Sequence, residues 1–319
     1  FPKINFYKRG ECMLRNPWFL FSMSIFLFLG SCVYMITNTV GRLASSDVAS
    51  VSEDSILYID LEGVIVDGAE ILEDLRTYAK EDKIKGVLVR INSPGGVVGP
   101  SQEIYSELLR IREDLKKPVV VSANALMASG GYYVASAADK IFVNPGTLMG
   151  SIGVIMEFAN LSDLYSWAKI QRYALTTGAY KSTGTDTRAM REDEKQLLQT
   201  LINEVQEQFK AAVVKGRKLH QDQVDAIADG RILTGEMGVK LGLADSLGTE
   251  TDAIHQLEDL TGLKDAKLFK PRQAQQEFMS WIGKGKSLFP GSQMSESVNA
   301  ILPLALFGKP LYLMPQYIK

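Results

Sequence analysis

Lys117-Pro-Val-Val-Val-Ser-Ala123, followed by Ala125-Leu-Met-Ala-Ser-Gly-Gly-Tyr-Tyr133, decides how this 319-residue chain folds. The first stretch is a short β-branched run opened by proline, which predicts a buried strand. The small-residue stretch from Ala128 to Ala138 is compatible with a helix. Ser129 therefore falls at a strand-to-helix junction. The first N–H groups of a helix have no partner within it, and the helix dipole concentrates partial positive charge there. An oxyanion developing beside Ser129 is stabilised at such a place, and the N–H of Gly130 is one candidate donor.

A second donor is expected upstream, where the strand Val87-Leu-Val-Arg-Ile91 runs into Asn92-Ser-Pro-Gly-Gly96. Glycine lets the backbone turn sharply and approach a substrate closely, so the N–H of Gly96 is the candidate. The base is the next question. The chain holds only two histidines, His220 and His255, and neither lies in a glycine-rich context, so a Ser-His-Asp triad has little to draw on. Lys181, in Thr177-Gly-Ala-Tyr-Lys-Ser-Thr-Gly184, is the alternative base. A free lysine titrates near 10.4, and a base useful at neutral pH wants about 7 to 8, a shift worth roughly 4 kcal/mol. Desolvation is the usual means, so Lys181 is expected to become buried when the site assembles.

Five stretches occur together and in order: Arg90-Ile-Asn-Ser-Pro-Gly-Gly96, Met127-Ala-Ser-Gly-Gly-Tyr-Tyr133, Met149-Gly-Ser-Ile-Gly-Val154, Gly178-Ala-Tyr-Lys-Ser182 and Asp229-Gly-Arg-Ile-Leu-Thr-Gly235. With them the chain resembles the signal peptide peptidase A family, serine-lysine peptidases of the Clp protease and crotonase superfamily. The resemblance covers roughly residues 55–262. It implies Ser129 as nucleophile, Lys181 as general base, the N–H groups of Gly96 and Gly130 as oxyanion hole, and Ser151 as a hydrogen-bonding support for the lysine. It also implies an α/β spiral of ββα units with no cofactor and no metal. Longer members of the family carry two tandem copies of the domain, with serine and lysine in different copies. This chain has one copy containing both, so the resemblance implies a homo-oligomer whose sites are shared between subunits.

Pro17 to Ile36 carries no charge and is long enough to cross a bilayer core of about 30 Å, so residues 17–38 are expected to form a transmembrane anchor. Lys3, Lys8, Arg9 and Arg15 precede it, which places the N-terminal flank (1–16) in the cytoplasm and the catalytic domain outside. Two other readings stay open: a cleaved signal peptide, and lipidation at Cys32 in Leu29-Gly-Ser-Cys32. The other cysteine, Cys12, also precedes residue 40, so the catalytic region cannot be stapled by disulfides. The chain begins at Phe1, which leaves room for residues upstream.

Residues 39–54 read as a linker, 55–262 as the peptidase domain and 263–319 as an extension for packing or subunit contacts. Within the domain, strands are expected at Ser55 to Leu61, Gly86 to Ile91, around Val119 and at Lys140 to Val143, with helices at Glu70 to Lys80, Gln102 to Leu115 and Arg191 to Leu219. His220 is expected to cap the last of these or lie on the surface. Gly230 to Asp245 is read as a structural strand and short helix. In the extension, Gln273 to Phe289 is a candidate helix, and Pro310-Leu-Tyr-Leu-Met-Pro315 is expected to fold back near a substrate groove or a neighbouring subunit. A formal charge of −2 provides no basic field for nucleic acid. The leading expectation is a membrane-anchored endopeptidase acting on remnant signal peptides or other apolar peptides. A crotonase-type acyl-CoA enzyme and a catalytically silent membrane scaffold are the alternatives.

Overall fold

In the computed structural model, residues 51–271 and 310–313 are described. The expected anchor at 17–38, the candidate helix at 273–289 and the apolar stretch at 300–307 lie outside them. Among the described residues, no helix is long and apolar enough to cross a membrane.

The elements alternate as the apolar runs suggest. In order they are β1 (Ser55–Glu62), α1 (Ala69–Tyr78), β2 (Ile84–Ser93), β3 (Gly95–Val97), α2 (Val98–Glu113), β4 (Val119–Ala128), α3 (Gly130–Ala135), β5 (Lys140–Val143) and β6 (Leu148–Gly150). Then come α4 (Ser162–Trp167), α5 (Glu192–Arg217), α6 (Gln221–Asp225), β7 (Ile232–Thr234), α7 (Gly235–Lys240), β8 (Ser246–Leu247), α8 (Glu250–Thr261), β9 (Lys267–Phe269) and β10 (Leu311–Leu313).

A mostly parallel sheet forms the centre, with strand order β7-β6-β4-β2-β1-β9 and with β5 joining β4 to β8. Its middle strands are covered on both faces, which is why Ile56, Leu57, Val87, Leu88, Val120 and Val121 are all buried instead of alternating with polar residues. On one face α8 packs Ala253 and Leu257 against Ile56, Leu88 and Val120. This mixed α/β arrangement is consistent with the Clp protease-like fold that the resemblance implies.

β4 positions the site. Its first half pairs with β5, Val120 to Lys140 through Ala123 to Val143, and its end pairs with β6, Ala128 opposite Gly150. The sequence led us to expect this strand to stop near Ala123 and a helix to run over 128–138. Instead the new partner β6 carries the strand five residues further, and the helix is only Gly130–Ala135. α2 likewise starts at Val98, four residues before the expected Gln102. His220 is exposed, as expected for a surface residue, but it caps the start of α6 and not the end of α5. The end of α5 is instead taken by Lys218 in the left-handed conformation.

Candidate active site

Ser129 joins β4 to α3 with φ 51° and ψ −117°, a conformation that residues with side chains rarely adopt. Two hydrogen bonds hold the turn: its N–H donates to the Gly150 carbonyl and its carbonyl accepts from the Tyr133 N–H, both at 2.8 Å. All six residues of α3 are buried, so the turn is fixed from behind. A sharp strand-to-helix turn of this kind presents a nucleophile while keeping its backbone rigid. Ser129 is 1% exposed, and among the described residues its Oγ has no hydrogen-bond partner.

The glycines of β3 lie against this turn. A Cβ on Gly130 would sit 3.1 Å from the Gly96 nitrogen, so the two expected oxyanion donors belong to one small region. Gly96 also approaches Ile65 so closely that a Cβ would meet the Ile65 carbonyl oxygen at 2.0 Å. Gly95, which the sequence reading passed over, is as tightly placed. It has φ +96°, and a Cβ there would lie 2.5 Å from the Gly130 nitrogen and 2.0 Å from the Tyr312 carbonyl oxygen. A Pro-Gly-Gly run offers two glycines, and only the packing around them distinguishes their roles.

Tyr312 belongs to β10, which pairs antiparallel with β3: Leu311 opposite Val97, Tyr312 opposite Gly96 and Leu313 opposite Gly95. Its other edge is bound to Ile155 by two reciprocal hydrogen bonds, at 3.1 and 3.0 Å. The Tyr312 ring is fully buried among Tyr133 and Phe209, with its hydroxyl donating to the Val205 carbonyl at 2.9 Å. Burial pushes the Tyr312 hydroxyl pKa well above its ordinary value and that of nearby Tyr105 up to about 12. Of Pro310 to Pro315, expected to fold back near a substrate groove or a neighbouring subunit, the described residues Leu311–Leu313 pair with the strand that carries Gly96.

Ser151 is 4% exposed, has φ 50°, and follows Gly150, the residue paired with Ala128 beside Ser129. A cleft of about 440 Å³ opens next to it, lined by Gly153, Val154, Ile155, Gln206 and Leu313. The structure thus brings together Ser129, Gly96, Gly130 and Ser151. Lys181 is not with them. It stands exposed on the loop between α4 and α5, and among the described residues no group, the Lys181 amine included, hydrogen-bonds Ser129 Oγ. Among the described residues, no group of three His, Cys, Asp or Glu is placed to hold a metal ion.

A strained, buried serine flanked by backbone N–H donors and an edge that receives a peptide strand defines an acyl-transfer site of the serine hydrolase class. Comparison with known proteins narrows the class. Residues 111–264 match the model of peptidase family S49. A protein of Synechocystis sp. named as a protease is 40% identical over 215 residues, covering 67% of this chain and 76% of its own length. A protein of Enterococcus faecium named for signal peptide peptidase SppA is 30% identical over 280 residues, covering 82% and 81%. Protease 4 of Salmonella typhi is 31% identical over 265 residues, 79% of this chain but 42% of that protein. The chain belongs to peptidase family S49, the signal peptide peptidase A family, and is a serine protease.

Proposed function

We propose that this protein is a membrane-anchored endopeptidase in which Ser129 of one subunit and Lys181 of the next form one catalytic dyad, and that it cleaves remnant signal peptides and other apolar, unfolded peptides. The finer topology is the ββα spiral, and residues 17–38 are the anchor, with the catalytic domain outside the cytoplasm.

The observation that carries the peptide reading is β10. The edge of β3 beside Ser129 accepts an extended strand in regular pairing, and an extended substrate binds such an edge by adding a strand of its own. Folded proteins do not offer one. The observation behind the sharing of sites is the surface around Lys181. Trp167, Tyr173 and Leu175 are 81%, 88% and 96% exposed, with Leu164 and Ile170 also exposed on the same stretch. Several exposed apolar side chains on one short stretch suit an interaction surface, and a second copy is the occupant whose Ser129 lacks what this stretch carries.

In the assembled site the Lys181 amine takes the proton of the Ser129 hydroxyl as Oγ bonds to the substrate carbonyl carbon. The oxyanion receives the Gly96 and Gly130 N–H groups, and each donor of this type contributes about 10²–10³ in rate. The intermediate collapses, the amine leaves with the proton from Lys181, and water repeats the sequence on the ester to release the acid. Ser151, beside the cleft, holds the incoming amine by a hydrogen bond.

The test is complementation. Full-length Ser129→Ala and Lys181→Ala chains are each expected to lose activity on an unfolded apolar peptide by about 10³-fold or more, as a dyad does when either member is removed. Co-assembled in equal amounts, they should regain activity at roughly a quarter of the sites, those where an intact serine faces an intact lysine. A co-assembly that stays silent would overturn the shared site, and activity retained by either variant alone would overturn the dyad.

A further inference from the structure

The loop that carries Lys181 is exposed, yet it is tied down on both sides of the lysine. Arg191 Nη2 donates to the Ala179 carbonyl at 3.1 Å, and its guanidinium lies 5.9 Å from the centre of the Tyr180 ring. Beyond the lysine, Arg188 Nη2 reaches Ser182 Oγ at 3.3 Å, and Thr183 Oγ1 donates to Glu194 at 3.3 Å. All these ties meet at one carboxylate. Glu194 accepts from Arg188 at 2.8 and 2.6 Å, pairs with Arg191 at 3.0 Å and accepts the Arg191 backbone N–H at 2.9 Å.

Glu194 occupies the third position of α5, where a carboxylate ordinarily caps the helix. Capping alone does not account for it. Asp252 holds the same position in α8, takes its hydrogen bonds from Thr249 alone and lies exposed. The Glu194 side chain is 0% exposed, and its bonds extend through two arginines and a threonine into the loop. A buried carboxylate is stable only when paired and fully bonded, so this one fixes its partners as firmly as they fix it.

We infer that Glu194, through Arg188, Arg191 and Thr183, is a positioning residue for Lys181: it holds the four residues that flank the lysine so that the amine reaches the neighbouring subunit's serine in a set direction. The inference rests on Lys181 being the base. A lysine side chain has four rotatable bonds, and an exposed loop adds its own freedom, so a base delivered across an interface needs its backbone fixed. The clamp acts on the backbone around the lysine and leaves the side chain free for the partner site.

Full-length Glu194→Gln keeps the shape of the side chain and removes its charge. Measured beside Lys181→Ala on the same peptide, it should assemble as the wild type does, with kcat lowered about 10- to 100-fold and KM changed less than twofold, the signature of a displaced catalytic group. Thr183→Val, which cuts one tie and leaves the helix cap intact, should lower kcat in the same direction by a smaller factor, and it decides the matter if Glu194→Gln does not fold. Glu194→Asp, which restores the charge, should recover part of kcat. Wild-type kcat in both Glu194→Gln and Thr183→Val, with Lys181→Ala inactive, would overturn the positioning role alone. Full activity in Lys181→Ala would instead remove the base on which it rests. Equal losses of kcat and assembly would reduce Glu194 to a folding role and also overturn the inference.

Discussion

The serine half and the lysine half of this enzyme are built by different physics. Ser129 follows a strand with pairing partners on both sides, its hydroxyl is buried, and the helix after it has no exposed residue. Lys181 stands in the stretch between β6 and α5, where the only helix is α4, which has no buried residue. There, order comes from ion pairs: Arg172 with Asp186 at 2.6 Å, Arg188 with Glu194 at 2.6 Å and Arg191 with Asp193 at 2.9 Å. The strained turn at Ser129 has a buried sheet and a buried helix behind it. The proposed role of Lys181 in a neighbour's site requires a surface that can be covered, and exposed apolar side chains at Leu164, Trp167, Ile170, Tyr173, Leu175 and Tyr180 lie on its stretch of chain. The two halves should therefore fail in different ways.

The sharpest contrast comes from filling the serine half. Gly95→Ala adds a methyl where φ is +96° and where it would stand 2.0 Å from the Tyr312 carbonyl oxygen and 2.5 Å from the Gly130 nitrogen. Both neighbours are backbone and cannot rotate away, and the left-handed conformation adds strain of about 1–3 kcal/mol. Displacing the Gly130 N–H should lower kcat by about 10²–10³-fold, as losing an oxyanion donor does. Steady-state kinetics on an apolar peptide checks this. An alanine variant with wild-type kcat would mean that the serine half is more pliant than its packing implies.

A smaller effect is expected at the groove. Deleting Gly308 to Lys319 removes β10 from the edge of β3 and from Ile155, which frees that edge for substrate. A tethered strand competes at an effective concentration in the millimolar range, so the deletion should lower apparent KM about three- to tenfold while kcat holds. The thermal midpoint should fall as well, because the buried Tyr312 ring and its bond to Val205 are lost. Unchanged KM and unchanged assembly would mean that β10 does not share an edge with substrate.

The same division decides what could be read in the sequence. β1, β2, α5 and the junction at Ser129 were legible because β-branched runs and helical spacing are local signals. The extension of β4 through Asn124 and Ala125 was not, since neither residue favours a strand and the pairing of Leu126 to Ala128 with Leu148 to Gly150 is what carries the chain on. β10 is three residues paired to a strand far away in sequence, and all three are buried, so no alternation marks it as a strand. Ser129, Gly96, Gly130 and Ser151 stood in motifs and come together within the chain. Lys181 stood in one too, but its exposed position on the loop between α4 and α5 is set by tertiary structure, which no local pattern encodes. The clamp around it was missed because Glu192 to Lys195 reads as an ordinary solvated first turn, and nothing in that run distinguishes a buried glutamate from its exposed neighbours.

The gentlest probe of the contrast is pH, because the titrating groups of the two halves shift in opposite directions. In the lysine half, the Arg188 hydrogen bonds hold the Glu194 carboxyl down at about 2, and the Tyr165 hydroxyl, then Arg172, lower that of Asp186. A depressed carboxyl stabilises the fold above its unfolded value, about 4.3 for glutamate, and that stability is lost as pH falls toward 2. In the serine half the shifted groups are tyrosines: burial raises Tyr105 to about 12 and lifts Tyr132 and Tyr312 further. A raised group contributes fully below its unfolded value, about 10, and loses that contribution as pH climbs through the folded one. Lowering pH from 5 to 3 should therefore loosen the Lys181 loop first, seen as faster proteolysis between Arg172 and Arg191 while the tyrosine near-ultraviolet signal of the core persists. Raising pH above 10 should reverse the order. Simultaneous loss of both signals at either extreme would show that the two halves unfold as one unit and that the difference in their construction has no consequence for their stability.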